Sequence, residues 1–204
     1  AGGDLLTTIT TGLGAQTVVT YAPLTDATVY SKSPGVVPSP PELLIQSPLH
    51  VVKRTDATTA MPGTYYRTEY AYADLKGHSQ GRGLLGFRQR EVRENLTWTA
   101  ATGTDASKET RTVTTYDHGQ PWPRAGTPVL TEKFAKRATG VEQKVSQTAP
   151  TWGTYTNVPG SPGVVQLFQT QFVEEQWDVK GGQLQNRVTT FGNIDYYGNV
   201  GSLD

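Results

Sequence analysis

The chain has no cysteine, a single methionine and no surplus of either charge, its 18 lysines and arginines matching its 18 aspartates and glutamates. Without cysteine there is no disulfide framework, no thiolate metal site and no cysteine nucleophile. The compartment stays open, because many exported bacterial proteins also lack cysteine. Zero net charge, with no long run of one sign, leaves no electrostatic footprint for nucleic acid or for an anionic membrane surface. No window approaches the roughly 20 consecutive apolar residues of a spanning helix, so no membrane insertion by this segment is expected. The start, Ala1-Gly2-Gly3-Asp4, has neither the basic stretch nor the apolar run of a signal peptide; for an exported protein the signal is expected outside these residues.

Leucine, glutamate and lysine, the good helix formers, are also sparse, whereas threonine is abundant and is joined by ten tyrosines and four tryptophans. That mixture suits a pleated, half-buried surface and predicts an all-β chain of antiparallel strands and hairpins. Residues 5–21 read as a hairpin turning at Gly12-Leu13-Gly14-Ala15. From Ala22 to Pro48 six prolines forbid a central strand or an internal helix and imply an extended surface excursion. Leu49–Arg54 is strand-like and Asp56–Gly63 turn-like. In Tyr65–Tyr72 the residues Tyr66, Thr68, Tyr70 and Tyr72 share one face, and Phe87–Trp98 alternates through Arg88, Arg90, Val92, Glu94 and Leu96. Lys108–Tyr116, Pro128–Lys136, Val141–Thr148, Gln166–Val179 and Leu184–Phe191 complete the strands. Gly181-Gly182 between two alternating runs predicts a type I′ turn.

Few residues point to chemistry. His50, His78 and His118 lie far apart in sequence and read as surface or loop histidines. Asp117-His118 beside a turn matches a base with its orienting acid only in composition, since no serine stands in a Gly-x-Ser-x-Gly context. Glu174 and Glu175 point to opposite faces of one strand and cannot act as paired carboxylates. Glu69, Asp74, Glu132 and Asp178 have no spacing that recommends them as a glycosidase pair. Trp98, Trp122, Trp152 and Trp177 suit either core filling or a sugar-stacking platform, which keeps a carbohydrate-binding β-sandwich as the alternative.

An ordered series of motifs adds to this. Residues 4–26, opening Asp4-Leu5-Leu6-Thr7-Thr8, are followed by Val29-Tyr30, Pro48-Leu49-His50-Val51-Val52, Tyr70-Ala71-Tyr72-Ala73-Asp74-Leu75-Lys76 and Gly81-Arg82-Gly83-Leu84-Leu85-Gly86-Phe87. In order and spacing the series resembles the segment that follows the β-propeller in bacterial Rhs/YD-repeat proteins and in the B subunits of insecticidal toxin complexes. Thr114-Thr115-Tyr116-Asp117 and Asp195-Tyr196-Tyr197-Gly198-Asn199-Val200 resemble that family's tyrosine-and-glycine repeats. The resemblance is weak from about 135 to 175.

It implies an elongated, curved sheet that forms part of a secreted shell, with residues 1–134 as a middle-region-like β segment and 135–204 as further hairpins. No catalytic residue, metal or cofactor is implied, and the enclosed toxic effector is expected elsewhere in the parent polypeptide or in a partner. Gly81–Phe87 would be a bend that starts the next strand at Phe87. Tyr197-Gly198-Asn199 would be a turn whose tyrosine packs on a neighbouring strand. Exposed sheet edges predict edge-to-edge self-association of the isolated segment.

Overall fold

The computed structural model describes residues 4–35, 37–118, 124–137, 139–158, 160–195 and 197–203. Among them the chain forms β1 (Thr8–Thr10), β2 (Gln16–Pro23), β3 (Tyr30–Ser31), β4 (Glu42–Leu44), β5 (His50–Thr58), β6 (Thr64–His78), β7 (Gly83–Thr99), β8 (Gly103–Asp105), β9 (Thr110–Tyr116), β10 (Pro128–Lys136), β11 (Glu142–Val158), β12 (Ser161–Trp177), β13 (Gln183–Gly192) and β14 (Ser202–Leu203). These strands make one 14-stranded open sheet in the order β1-β2-β5-β6-β7-β9-β10-β11-β12-β13-β14, with β3 and β4 on β6 and β8 on β7. All pairings are antiparallel except that of β3. The all-β expectation and the elongated sheet are therefore observed.

The centre of the sheet is β6. One of its edges is taken in turn by β5, β3 and β4, and the other by β7. The proline-rich stretch supplies two of those partners and most of the core: Leu24, Val29 and Tyr30 are buried with Ala22 and Leu75, and Ile45, Val51, Tyr72 and Phe87 pack against them. The expected surface excursion is thus corrected. Its prolines do exclude long ladders, but the apolar residues between them close one face of β6, and burying them is the largest local stabilisation available.

Two bulges re-aim β7. Lys76 faces Gly86 while Gly77 faces Leu84, which leaves Leu85 unpaired beside Gly86, whose φ is +99°. Arg67 faces Leu96 while Glu69 faces Arg93, and Asn95 between them adopts φ +59°. An extra residue reverses the alternation beyond it. Leu96 consequently leaves the face shared by Val92 and Glu94 and is 2% exposed. Phe87 lies well inside β7, which begins at Gly83, so the expected bend is a bulge within a strand. Asp56, expected in a turn, lies in β5 and is buried.

Beyond β7 the sheet is one layer thick. Packing between elements follows the ladder throughout. On one face the register aligns Arg90, Thr114, Thr131, Thr148, Glu174 and Arg187 across six strands; the adjacent row on the other face is Glu91, Val113, Glu132, Gln147, Glu175 and Asn186. Apart from Val113, every one of these side chains keeps contact with solvent. Neither face is closed over, so cross-strand pairs replace a core. The Arg111 guanidinium sits 4.2 Å from the Phe134 ring centre and reaches Glu142 at 2.6 Å and Glu91 at 3.3 Å. Hydrogen bonding to Glu142 is the chief cause that raises the Arg111 pKa and lowers that of Glu142. Lys144 bridges Glu132 and Gln147 over the Trp177 ring.

Strands β11 and β12 run further than their sequence suggests. The β10 ladder ends at Thr131 opposite Thr148, so Pro150 lies where β11 has an open edge and its missing N–H is harmless. Gly153 is needed for side-chain space: a Cβ there would lie 2.7 Å from the Phe168 ring, which stacks on Tyr155 at 4.8 Å between centroids. The β12–β13 turn is also corrected. Gly181 alone has positive φ (+93°); Gly181 N–H donates to Asp178 O and Asp178 N–H to Gly182 O, which is a type I turn closed by a glycine bulge, not type I′.

Gly153→Ala is expected to destabilise the chain by about 1–3 kcal/mol through overpacking against Phe168. Gly12→Ala, where a Cβ meets nothing, should leave the urea midpoint unchanged.

Candidate functional site

The two densest sequence motifs are partners in one hairpin. Tyr70–Lys76 belongs to β6 and Gly83–Phe87 to β7, with Leu75 facing Phe87, Lys76 facing Gly86 and His78 facing Gly83. Gly81 (φ +88°), Arg82 and Gly83 (φ +72°) make the connection between the strands. Phe87 lies 4.7 Å from Tyr72 and 6.3 Å from Tyr30, ring centre to ring centre.

Asp74 is the hub of this region. It is fully buried and holds φ at +53°, a conformation that aspartate tolerates better than most residues. Its Oδ1 accepts the Ser33 N–H at 2.7 Å, and its Oδ2 accepts the Ser33 hydroxyl at 2.6 Å and the Arg88 Nε at 3.1 Å. Burial alone would push the Asp74 pKa up, but these donors outweigh it and hold the carboxyl below its usual value. Nearby, Lys76 meets Glu42 at 2.7 Å, and the Tyr30 hydroxyl donates to Ile45 O while accepting the Leu75 N–H. Four residues of the proline-rich stretch are tied to β6: Tyr30, Ser33 and Glu42 by these bonds, and Ile45 by its N–H, which donates to Leu75 O.

His118 is a correction. It is 6% exposed, not at the surface, and rests near the Gly86–Phe87 backbone. Neither ring nitrogen makes a well-formed hydrogen bond among the described residues. Burial first, then the Lys76 charge, lowers its pKa, so the ring is neutral. Ser33 bonds to Asp74 and has no histidine on its hydroxyl, so these groups do not form a nucleophile with its base.

The remaining candidates do not converge. Glu69 pairs across strands with Arg54 and Arg93, Glu132 holds Lys144, Asp178 closes a turn and Asp74 has no solvent access. No cluster of histidine and carboxylate suited to a metal ion is present among the described residues. Trp98 stacks on Tyr65 with Arg67 over its ring, Trp152 donates to Pro128 O, and Trp177 lies beneath Lys144; they occupy separate strands and none belongs to the core cluster. Trp122 lies outside the described residues. In the β13–β14 turn, Gly198 has φ +88°, the Asn199 amide and N–H both bond to Asp195, and Tyr197 is 68% exposed.

Ser33, Glu42, Arg88 and the buried state of His118 were not singled out by sequence reasoning. The signal available was the pairing of an aspartate and a lysine, at 74 and 76, inside an otherwise aromatic strand.

Asp74→Ala should cost about 3 kcal/mol, because it strands two Ser33 donors and the Arg88 charge. Asp74→Asn, which keeps an acceptor and tolerates the positive φ, should cost less in the same urea titration. The unfolded chain protonates His118 more readily than the folded one, so stability is complete above the ordinary imidazole value of ~6.5 and falls as pH drops below it. His118→Leu should flatten that slope. The lowered carboxyl pKa values of Asp74 and Glu142 act in a separate, more acidic window.

No curated protein matches the chain. A family model does, one described as the insecticide toxin TcdB middle/N-terminal region, over residues 3–122. Its match spans β1 to β9 and includes the whole Asp74 hub, whereas β10–β14 lie beyond it. That is more than half of the 204 residues, and the chain belongs to the TcdB middle/N-terminal region family of insecticidal toxin-complex proteins.

Proposed function

We propose that the chain is a non-catalytic structural segment of a secreted bacterial Rhs/toxin-complex-type shell, one that encloses a toxic effector supplied by the same or a partner polypeptide. The observation that carries this reading is the one-layer sheet between β9 and β13, whose two faces both present polar, cross-paired side chains. A container wall needs a solvent face, a lumen face and strands that continue laterally, and such a sheet supplies them. An active site needs ionisable groups converging in a cleft, whereas here Glu91, Glu132 and Glu142 are each taken up in an ion pair with a basic side chain of another strand.

The repeated turn chemistry supports the YD-repeat part of the reading. Asp178–Gly182 and Asp195–Asn199 use the same pattern: the aspartate N–H donates to the fifth residue's carbonyl, the glycine N–H returns to the aspartate carbonyl, and the fifth N–H is held by Oδ1. Each such turn starts a new strand on the growing side of the sheet.

The test uses the parent toxin polypeptide with its effector. Asp74→Ala combined with Arg88→Ala in this segment should expose the effector to added protease while leaving the activity of the released effector unchanged. Protection equal to wild type, in a variant whose segment is shown by hydrogen exchange to have opened, would sink the wall role. The carbohydrate-binding alternative rests on the cleft of about 180 Å³ lined by Tyr65, Trp98, Arg54 and Arg67. Glycan-array binding by the chain that is lost in Trp98→Ala would favour it instead.

A further inference from the structure

We propose that the cleft where β5, β6 and β7 meet is a binding site for a ring that carries a carboxylate. Neither reading of the function above calls for an anion there, so the inference goes beyond both and does not depend on the shell role.

The ladder gathers the lining side chains on one face. Asp56 stands between Val18 and Arg67 in the register, and Tyr65 faces Trp98. Arg54 and Asp56 are two apart on β5, as Tyr65 and Arg67 are on β6, so period two brings all six around one hollow of about 180 Å³. One wall is apolar. The Tyr65 and Trp98 rings lie 5.6 Å apart, centre to centre, and the Arg67 guanidinium sits 5.2 Å from the Trp98 centre.

The charged wall is left unbalanced. Among the described residues Asp56 is the one carboxylate lining the cleft, and it stands against two guanidinium groups. Its Oδ1 accepts the Arg67 Nε–H at 2.7 Å, and Arg67 Nη1 donates to Thr104 Oγ1 at 2.9 Å. Arg67 is thereby fixed, with its side chain 7% exposed. Arg54 is not: its Nε lies 3.1 Å from Asp56 Oδ2 and is buried, yet its N–H forms no hydrogen bond. Glu69 stands opposite Arg54 in the ladder, but no ion pair forms between their side chains. A structural pair needs only one arginine. The second gives the cleft a net positive charge and leaves the terminal nitrogens of Arg54, together with Arg67 Nη2, as donors without an acceptor, which an anionic ligand would supply.

The ligand class follows from shape and charge. A guanidinium presents its N–H groups in a fixed fork that matches the two oxygens of a carboxylate. The Arg54 side chain is 39% exposed, so the charged wall is open to an incoming group. A cavity of ~150 Å³ holds one benzene molecule, so the hollow suits a single ring. The Tyr65 and Trp98 rings can pack on an aromatic ring or on the apolar face of a sugar. The shared chemistry is a ring-borne carboxylate, whether of an aromatic acid or of a uronic acid.

Isothermal titration of the full chain with benzoate and with glucuronate, against benzamide and methyl glucoside as their neutral counterparts, tests this. At least one acid should bind ~10-fold or more tightly than its counterpart. Benzoate as the tighter acid identifies an aromatic source, and glucuronate a sugar source. Arg54→Gln, at a partly exposed position outside the core, should bring the acid down to the affinity of its neutral counterpart, and Arg54→Lys should restore part of the loss. Trp98→Leu should weaken acid and neutral compound alike. The urea midpoint of each variant confirms that the fold is kept. Acids that bind no more tightly than their neutral counterparts overturn the proposal. So does an Arg54→Gln chain, folded as the wild type, that binds the acid with undiminished affinity.

Discussion

The rest of the fold depends on one fully buried carboxylate. A sheet one layer thick has no inherent reason to hold a long irregular segment against it, and the proline-rich stretch contributes too little regular ladder to hold itself. Asp74 resolves this by offering both oxygens to Ser33 and to Arg88, at a left-handed backbone position that turns the carboxylate toward the covering chain. An isolated buried charge would be prohibitive, but three donors within 3.1 Å make it less costly than leaving those donors unpaired. The apolar cluster of Leu24, Val29, Tyr30 and Leu75 then forms around this fixed point, and its burial supplies most of the stabilisation of the region.

Away from that point the energetics change character. From β9 to β13 there is almost no buried apolar surface, and the sheet is held by backbone ladders and by rows of cross-strand pairs, each contributing roughly 0.2–1 kcal/mol. Such pairs are individually weak and screened by salt where exposed. Their partial burial between neighbouring long side chains, as for Arg111 over Phe134 and Lys144 over Trp177, is what raises them above ordinary surface ion pairs. One molecule therefore combines a cored half and a coreless half, and the family match falls on the cored one.

Strand positions were legible in the sequence because period-two alternation and glycine turns are local signals. The hairpin at residues 5–21 and the strands at Pro128–Lys136 and Leu184–Phe191 required nothing else. What was hidden is non-local. Proline excludes ladder hydrogen bonds at its own position and says nothing of whether Leu24, Val29 and Tyr30 between the prolines will be buried. The bulge at Asn95 reverses the facing of Leu96, and no alternation pattern reveals an inserted residue until the partner strand is known. Pro150 and Gly153 read as breakers, yet one meets an open edge and the other makes room for Phe168. His118 read as a loop histidine because its burial comes from the β7 backbone, distant in sequence. The Asp74 hub was present in the motif series but had no visible role, since its donors come from Ser33 and Arg88 on two other segments.

The turns explain how a coreless half can still have a unique register. The β1–β2, β10–β11, β12–β13 and β13–β14 connections all close with the same two hydrogen bonds, from the first residue's N–H to the fifth residue's carbonyl and from the fourth residue's N–H back to the first, and the fourth residue is a glycine at φ between +81° and +93° each time. At Thr11, Asp178 and Asp195 the first side chain also accepts the fifth N–H. Because a one-residue slip in a hairpin requires a different loop, each closure fixes its own strand pair without help from a buried face. Register normally comes from burying one face of a sheet; here it is encoded locally, hairpin by hairpin. A sheet built that way can leave both faces to solvent and still add strands in a single register, whereas one that relied on a core would have to end where its core ends.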